Sequence, residues 1–568
     1  MNSSVAPGAA GFLHRALRHP RLLLTVLCLA LWAPGALTLP ALDRDESRFA
    51  QASKQMLETG NYIDIRFGAV PRYKKPAGIY WLQAAATELA GMGERTHIWT
   101  YRLPSLLGAL VAVLLTFWCA TAFLGSETAL LAAGLLGTTL LLSAEASIAT
   151  TDAVLLACVL GIQGMLLRVY LGARESGPPV GIGLIIAGWV AFACGILVKG
   201  PVVIGVAVLT LAGLAVWDRE ARWLRHTRPL VGLLVVLILV APWLVAIGVQ
   251  SHGHFFQQSL GHDFAAKLEG GQESHGAPPG YFLVLANFSF WPATLFLAPA
   301  LARALAGRSK PAVRFLLIWA GTCWIMFEAV PTKLPHYILP IYPALAILAA
   351  MWVVAPRQGA SRPERILTWV ALLQFGLVAA VFAVAPILLT HLYGAATQWW
   401  LVAPLAVFAA LAVSAIVAFI RQARLAAVAC AVASALVLYP VLTVATAPRL
   451  DRLWVSERAA AAERALARPG DPPPSLAGYV EPSLVFLLGT ATRQTDARGA
   501  ADAGAAQGGL ALVEDRERST FVARLAELEA DAAEVGSVEG FNYSRGRPVR
   551  IRIYRVTPVT DEPTPPAE

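Results

Sequence analysis

"RLLLTVLCLALWAPGALTLPAL" (21–42) runs directly into "DRDESRFAQASKQML" (43–57), so a stretch long enough to cross hydrocarbon ends in five charges within six residues. Fold and function both depend on which side of a membrane those charges reach. The first run is one of many. Apolar segments of bilayer length recur near 21–41, 103–123, 127–144, 151–171, 181–198, 201–217, 229–249, 280–300, 314–331, 336–355, 366–389, 399–420 and 425–446, which makes thirteen. Composition agrees: 57% of the 568 residues are hydrophobic and 14% charged, against about 45–50% apolar and about 25% charged in soluble domains. Mean hydropathy is +0.60. The sequence is therefore that of an all-α polytopic membrane protein.

Basic residues orient it. With Arg15, Arg18 and Arg21 in the cytoplasm and sides alternating, the inner connections carry Arg168 and Arg174; Arg219, Arg222, Arg225 and Arg228; Arg303, Arg308, Lys310 and Arg314; Arg357, Arg362 and Arg365; and Arg421 and Arg424. Every inner connection is basic except the short turn between the second and third runs, as the positive-inside rule requires. Outward go the loop 42–102, the turn near Glu145 to Asp152, Lys199, the loop 250–279, "VPTKLPHY" (330–337) and everything after 447. A cleaved signal peptide is the competing reading of the first run, and removing it would break this alternation. The net charge of +9 sits in these short loops, which argues against nucleic-acid binding. All six cysteines fall within apolar runs, so neither a disulfide framework nor a cysteine metal site is expected.

Residues 1–447 thus form the membrane domain and 448–568 a small extracytoplasmic α/β domain. In the latter, "SLAGYV" (475–480), "GLALVED" (509–515) and "PVRIRIYRV" (548–556) read as strands. "EPSLVFLLG" (481–489) and "TFVARLAELEADAAE" (520–534) read as helices, and "ATRQTDARGAADAGAAQGG" (491–509) as a flexible, low-complexity loop.

The outer face holds the chemistry. Of seven lysines, six (Lys54, Lys74, Lys75, Lys199, Lys267, Lys333) lie there, while the inner face is almost purely arginine; chance and interfacial anchoring are the plain alternatives to a need for compact ammonium groups. Asp45, Glu46 and Arg48 follow the first run. Asp152 opens the fourth, where a carboxylate costs about 2.5–3.5 kcal/mol to insert and is a functional candidate, or else an N-cap. "RFGAVPRYKKPAGIYWLQAAA" (66–86) offers Lys74 and Lys75 with interfacial Tyr80 and Trp81; an anionic-lipid-binding loop is the alternative. Ile63 to Phe67 alternates like a short strand. His252, His254, His262 and His275 invite a divalent metal without diagnostic spacing, or simply bond to carbonyls or phosphate. Lys333 and His336 lie between prolines, with Tyr337 and Tyr342 nearby. Carboxylates facing several cations suit a reaction with a base and an anionic leaving group. No Walker or dinucleotide fingerprint is present, and a sugar linked to a lipid phosphate fits a membrane-surface site.

"DRDESRFAQASKQMLETGNY" (43–62), "RYKKPAGIYWLQ" (72–83), "TTD" (150–152), "LVKGP" (197–201) and "TKLPHYILPIYPALA" (332–346) together resemble the GT-C glycosyltransferases, in particular the lipid A aminoarabinose transferases and protein O-mannosyltransferases. The resemblance covers roughly 15–350. It implies a GT-C fold of about thirteen transmembrane helices and inverting transfer of one sugar from a polyprenyl phosphate to lipid A, lipopolysaccharide or protein at the periplasmic face of a bacterial inner membrane. By the same resemblance Asp45, with Arg48 beside it, and Asp152 are the catalytic carboxylates, Lys75 contacts donor phosphate, Lys333 and Tyr342 stand at donor-pocket positions and Lys267 is a further basic residue. Arg48, Lys267 and Lys333 with Lys75 are read as meeting the phosphate charge, and Lys74, Tyr80 and His336, from their place on the outer face, as lining the substrate pocket with Tyr342. Where those relatives commonly read Glu-Lys-Pro, this chain has Lys74-Lys75-Pro76, which suits an acidic sugar such as a uronic acid, or simply phosphate. A flippase or transporter of a polyprenyl-linked or anionic substrate, and a ligase of whole oligosaccharides, are the competing functions.

Overall fold

Apolar runs whose backbone cannot bond to water in hydrocarbon must satisfy themselves as helices, and they do. The computed structural model describes residues 19–175, 177–264, 276–356 and 361–559. Among these residues eleven helices are long and apolar enough to span a membrane. A twelfth path is the pair Ser126–Gly137 and Leu140–Ala146, bent by 67°. The groups freed at this bend are taken up by neighbouring segments: Leu140 N–H donates to the Trp291 carbonyl at 2.9 Å, and Tyr439 Oη to the Thr138 carbonyl at 2.6 Å. The run expected as a span at 280–300 is two shorter helices, Tyr281–Ser289 and Thr294–Ala306. Its centre holds Pro292, which has no N–H to continue a helix.

Two spans are buried far more than the rest, Pro335–Val354 (83%) and Asp152–Arg174 (78%), so they form the centre of the bundle. They carry His336 and Asp152. Helix Ile98–Ala120 lies against Asp152–Arg174 in near backbone contact, since a Cβ on Gly108 would stand 2.8 Å from Val154 Cα.

The loop 42–102 is largely helical. Asp45–Thr59 and Gly78–Ala90 flank a two-residue hairpin, β1 (Arg66–Phe67) with β2 (Val70–Pro71). Gln55 secures that hairpin, accepting from Gly68 N–H at 3.0 Å and donating to the Gly68 carbonyl at 2.8 Å. Tyr73 donates to Asp64 at 2.7 Å, fixing the chain just before Lys74.

The C-terminal segment is a five-stranded sheet in the order β4-β3-β5-β7-β6, made of β3 (Ser475–Ala477), β4 (Arg493–Thr495), β5 (Gly509–Glu514), β6 (Ala532–Asn542) and β7 (Arg547–Val556). The first three are parallel and the last two antiparallel. The stretch 491–509 is not a loop. It contains β4 and the helix Ala497–Gln507, whose first turn is capped by Asp496 accepting from Gly499 N–H at 2.7 Å. Its alanines are strong helix formers, and Ala497, Ala500, Ala501 and Ala505 are buried at helical spacing. The expected helix 520–534 ends at Glu527, because 532–534 pair with β7 instead.

This domain docks on the loop 42–102. Phe486 packs edge-on to Tyr101, with ring centroids 5.5 Å apart, among buried Ala41, Ala50 and Ala149. Gln51 donates to Thr490 at 2.7 Å.

Candidate active site

Two carboxylates anchor the site, and the structure treats them differently. Asp152 is the first residue of its helix and does not cap it. It is buried, ion-paired to Lys199 Nζ at 2.6 Å, and accepts from Thr151 Oγ1 at 3.0 Å. His336 stands between Asp152 (3.9 Å) and a second buried acid, Glu145 (3.7 Å). Glu145 accepts from Thr150 Oγ1 at 2.6 Å. Asp45 by contrast is open, its side chain 57% exposed, with Arg48 at 3.9 Å. Its low-dielectric surroundings push the carboxyl up, but Arg72, His336, Arg48 and Lys75 outweigh this and hold it below the usual range. Asp45 is therefore a carboxylate at neutral pH, the form a base must have.

Neighbouring Glu46 has another task. Arg102, fully buried, grips it through Nε at 2.8 Å and Nη2 at 2.9 Å. The same guanidinium donates to the carbonyls of Ala36, Leu39 and Pro40. Glu46 also accepts from Ala149 N–H at 2.7 Å and Leu42 N–H at 2.9 Å. One buried pair thus ties the end of the first span, the loop of Asp45 and the turn before Asp152 together.

Beside the charges lies a cavity of about 460 Å³. Lys74, Lys75, Asp152, Lys199 and His336 line its polar end. The remainder is apolar, with Leu197, Val202, Trp243, Phe256 and Met326 among its walls. Such a lining is chemically complementary to an anionic group joined to an apolar one.

Of the residues named from sequence, Asp45, Arg48, Lys74, Lys75, Asp152 and His336 gather here. Two of the others, Lys333 and Tyr342, fall elsewhere. Lys333 is buried, donating to the carbonyls of Phe327 (3.3 Å), Glu328 (2.6 Å) and Val330 (2.8 Å), which leaves it terminating the helix Pro311–Ala329 rather than facing the cavity. Tyr342 is buried, bonded to Ser289 and packed on Phe290. Tyr342 is a packing residue because the helix it opens faces inward at that position. Tyr80 is buried against Phe49 with its hydroxyl beside Arg72 and near Asp45, so it does belong to the wall of the site. His252 and His254 are exposed. The side chain of His262, and Lys267 and His275 altogether, lie outside the described residues. Among the described residues no three His, Cys, Asp or Glu side chains converge as metal ligands would.

Sequence reasoning gave Glu145 and Arg72 no part in the site and placed Lys199 only among the outer-face lysines, without a role. Glu145 closes an apolar run and Lys199 stands in "LVKGP", so a charge at the end of a span was the available signal.

Asp43 sits on the opposite side of Arg44, against the C-terminal domain. Burial raises its carboxyl to about 7, helped by Glu481 and opposed by bonds from Ser483 and Tyr543. A folded pKa above the ordinary 3.8 means the docked state holds a proton that the undocked state gives up. Docking is therefore strongest below about pH 4 and weakens as pH rises through about 7. Thermal midpoints between about pH 5 and about pH 8 are expected to fall in the wild type and to flatten in Asp43→Asn, which stays neutral. An unchanged slope would remove Asp43 as the cause.

Residues 74–245 match the family described as dolichyl-phosphate-mannose-protein mannosyltransferase. The undecaprenyl phosphate-alpha-4-amino-4-deoxy-L-arabinose arabinosyl transferase of Aeromonas salmonicida is 27% identical over 380 residues, 65% of this chain and 67% of that protein. The enzyme of the same name from Pectobacterium carotovorum is 28% identical over 377 residues, covering 64% and 63%. The alignments thus span about two thirds of these relatives' length. The crystal structure of ArnT from Cupriavidus metallidurans bound to undecaprenyl phosphate superposes with a TM-score of 0.75 over 94% of this chain and 97% of that one, at 20% identity. At that identity the likeness concerns the fold.

Proposed function

We propose that this chain is a membrane glycosyltransferase of the GT-C superfamily, akin to the aminoarabinose and protein mannosyl transferases it resembles, and that it transfers a single sugar from a polyprenyl phosphate to an acceptor of the lipid A class. The observation that carries this reading is the cavity itself, whose charged end adjoins Asp45 and whose remainder is apolar. We read its mouth as extracytoplasmic, because the basic inner loops leave no other face for it. The bacterial sources of these relatives support reading that membrane as a bacterial inner membrane.

In the reaction Asp45 takes the proton of the acceptor hydroxyl while that oxygen attacks the anomeric carbon. The bond from that carbon to the phosphate oxygen breaks on the opposite side, so configuration inverts. The polyprenyl phosphate leaves as an anion and needs no proton. Lys74, Lys75, Arg48 and Arg72 meet the growing charge. Asp152, held by Lys199 and His336, orients the acceptor or these cations. Base catalysis supplies about 10²–10⁴-fold, and positioning and charge supply the rest.

The test is intact-mass analysis of lipid A, core oligosaccharide and extracytoplasmic proteins from cells with and without this chain. One added sugar on lipid A is expected. The same mass on protein instead would select the mannosyltransferase-like acceptor, and many sugars a ligase. No change anywhere, with folded chain in the membrane, would favour a transporter.

A further inference from the structure

Arg44 adopts φ 64° and ψ −114°, the conformation of the first central residue of a type II′ turn, which glycine takes readily and arginine does not. It stands immediately before the proposed base. No side chain caps the helix that begins at Asp45. From the membrane side, Leu42 N–H and Arg102 hold Glu46. From the other side come three bonds out of the C-terminal domain. Tyr543 Oη accepts from Asp43 N–H at 2.7 Å, the Ser544 carbonyl accepts from the Arg44 guanidinium, and Ser483 Oγ donates to the Asp43 carboxyl. Ser483 is itself aligned by Ser456 at 2.6 Å. Tyr543 and Ser544 form the turn between β6 and β7. Of the charged residues 43–46, Asp45 is the one whose carboxyl is left exposed toward the cavity cations.

We propose that the β6–β7 turn and Ser483 of the C-terminal domain are positioning elements for the reaction: they hold Asp43 and Arg44 in a strained turn that aims the Asp45 carboxylate at the acceptor. The proposal rests on reading Asp45 as the base. It gives the C-terminal domain a role in turnover rather than in donor binding, because none of these contacts lies in the cavity.

The experiment uses the full chain in lipid nanodiscs, with Ser483→Ala/Tyr543→Phe compared with wild type by hydrogen exchange. Amides 43–47 are expected to exchange about tenfold faster or more, with β5 and β7 unchanged. Undecaprenyl phosphate, the probe for the donor site, should bind within about twofold of wild type, while sugar transfer at saturating donor slows by about tenfold or more. Arg44→Gly should retain more transfer than Arg44→Ala, since glycine alone escapes the left-handed cost. Unchanged exchange at 43–47, faster exchange with undiminished transfer, or alanine performing as well as glycine would each overturn the proposal. If wild type moves no sugar onto any acceptor, the proposed function fails, and the exchange data still decide whether the domain holds the turn.

Discussion

Asp45→Asn is expected to reduce sugar transfer by about 10²–10⁴-fold while leaving the donor site occupied. The substitution keeps the size of the side chain and removes its basicity. It also removes a negative charge from the company of Arg72, Arg48 and Lys75, so the site becomes more positive and a phosphate is held at least as tightly as before. Transfer measured at saturating donor, beside undecaprenyl phosphate binding by native mass spectrometry, separates the two effects. Turnover lost with binding retained would identify a base. Parallel loss of both would mean that the carboxylate holds the loop, and would end the assignment.

Arg102→Ala is expected to have the largest effect on stability. Removing one partner of a buried ion pair costs about 3–5 kcal/mol, and here Glu46 would be stranded together with the carbonyls of Ala36, Leu39 and Pro40. Arg102→Lys is not expected to recover this, because a point ammonium cannot reproduce a fork that reaches two carboxylate oxygens and three carbonyls at once. Even a double change to apolar residues would leave Leu42 N–H and Ala149 N–H without their acceptor. The yield of monodisperse protein and its thermal midpoint check this directly. A variant as stable as wild type would show that the first loop is held by its apolar contacts and the docked C-terminal domain instead.

Much of this architecture was legible before any coordinates. Periodicity and length locate the spans, since hydrocarbon admits few backbone solutions. Asp45, Lys75 and Asp152 stood out because charge beside or within a span is costly and is kept for a reason. The failures have physical causes too. The stretch 491–509 looked formless because alanine and glycine carry no amphipathic signal, yet small residues are what a helix needs where it packs closely on a sheet. Lys333 is a donor-phosphate residue by the family resemblance of its segment, whereas the carbonyls that hold it here become available only where a helix ends.

By itself the sequence determined the class of the molecule, the course of its chain through a bilayer and the face on which charge accumulates, all of which follow from the local cost of placing polar groups in hydrocarbon. Tertiary structure alone decided which of those charges work together. Glu46 and Asp45 are adjacent and chemically similar, but one is locked by a residue 56 positions away while the other is left open. Glu145, His336, Asp152 and Lys199 come from four separate segments and meet only when the spans pack. A carboxylate's role depends on the neighbours that desolvate, pair or expose it, and those neighbours are supplied by the packing of distant segments.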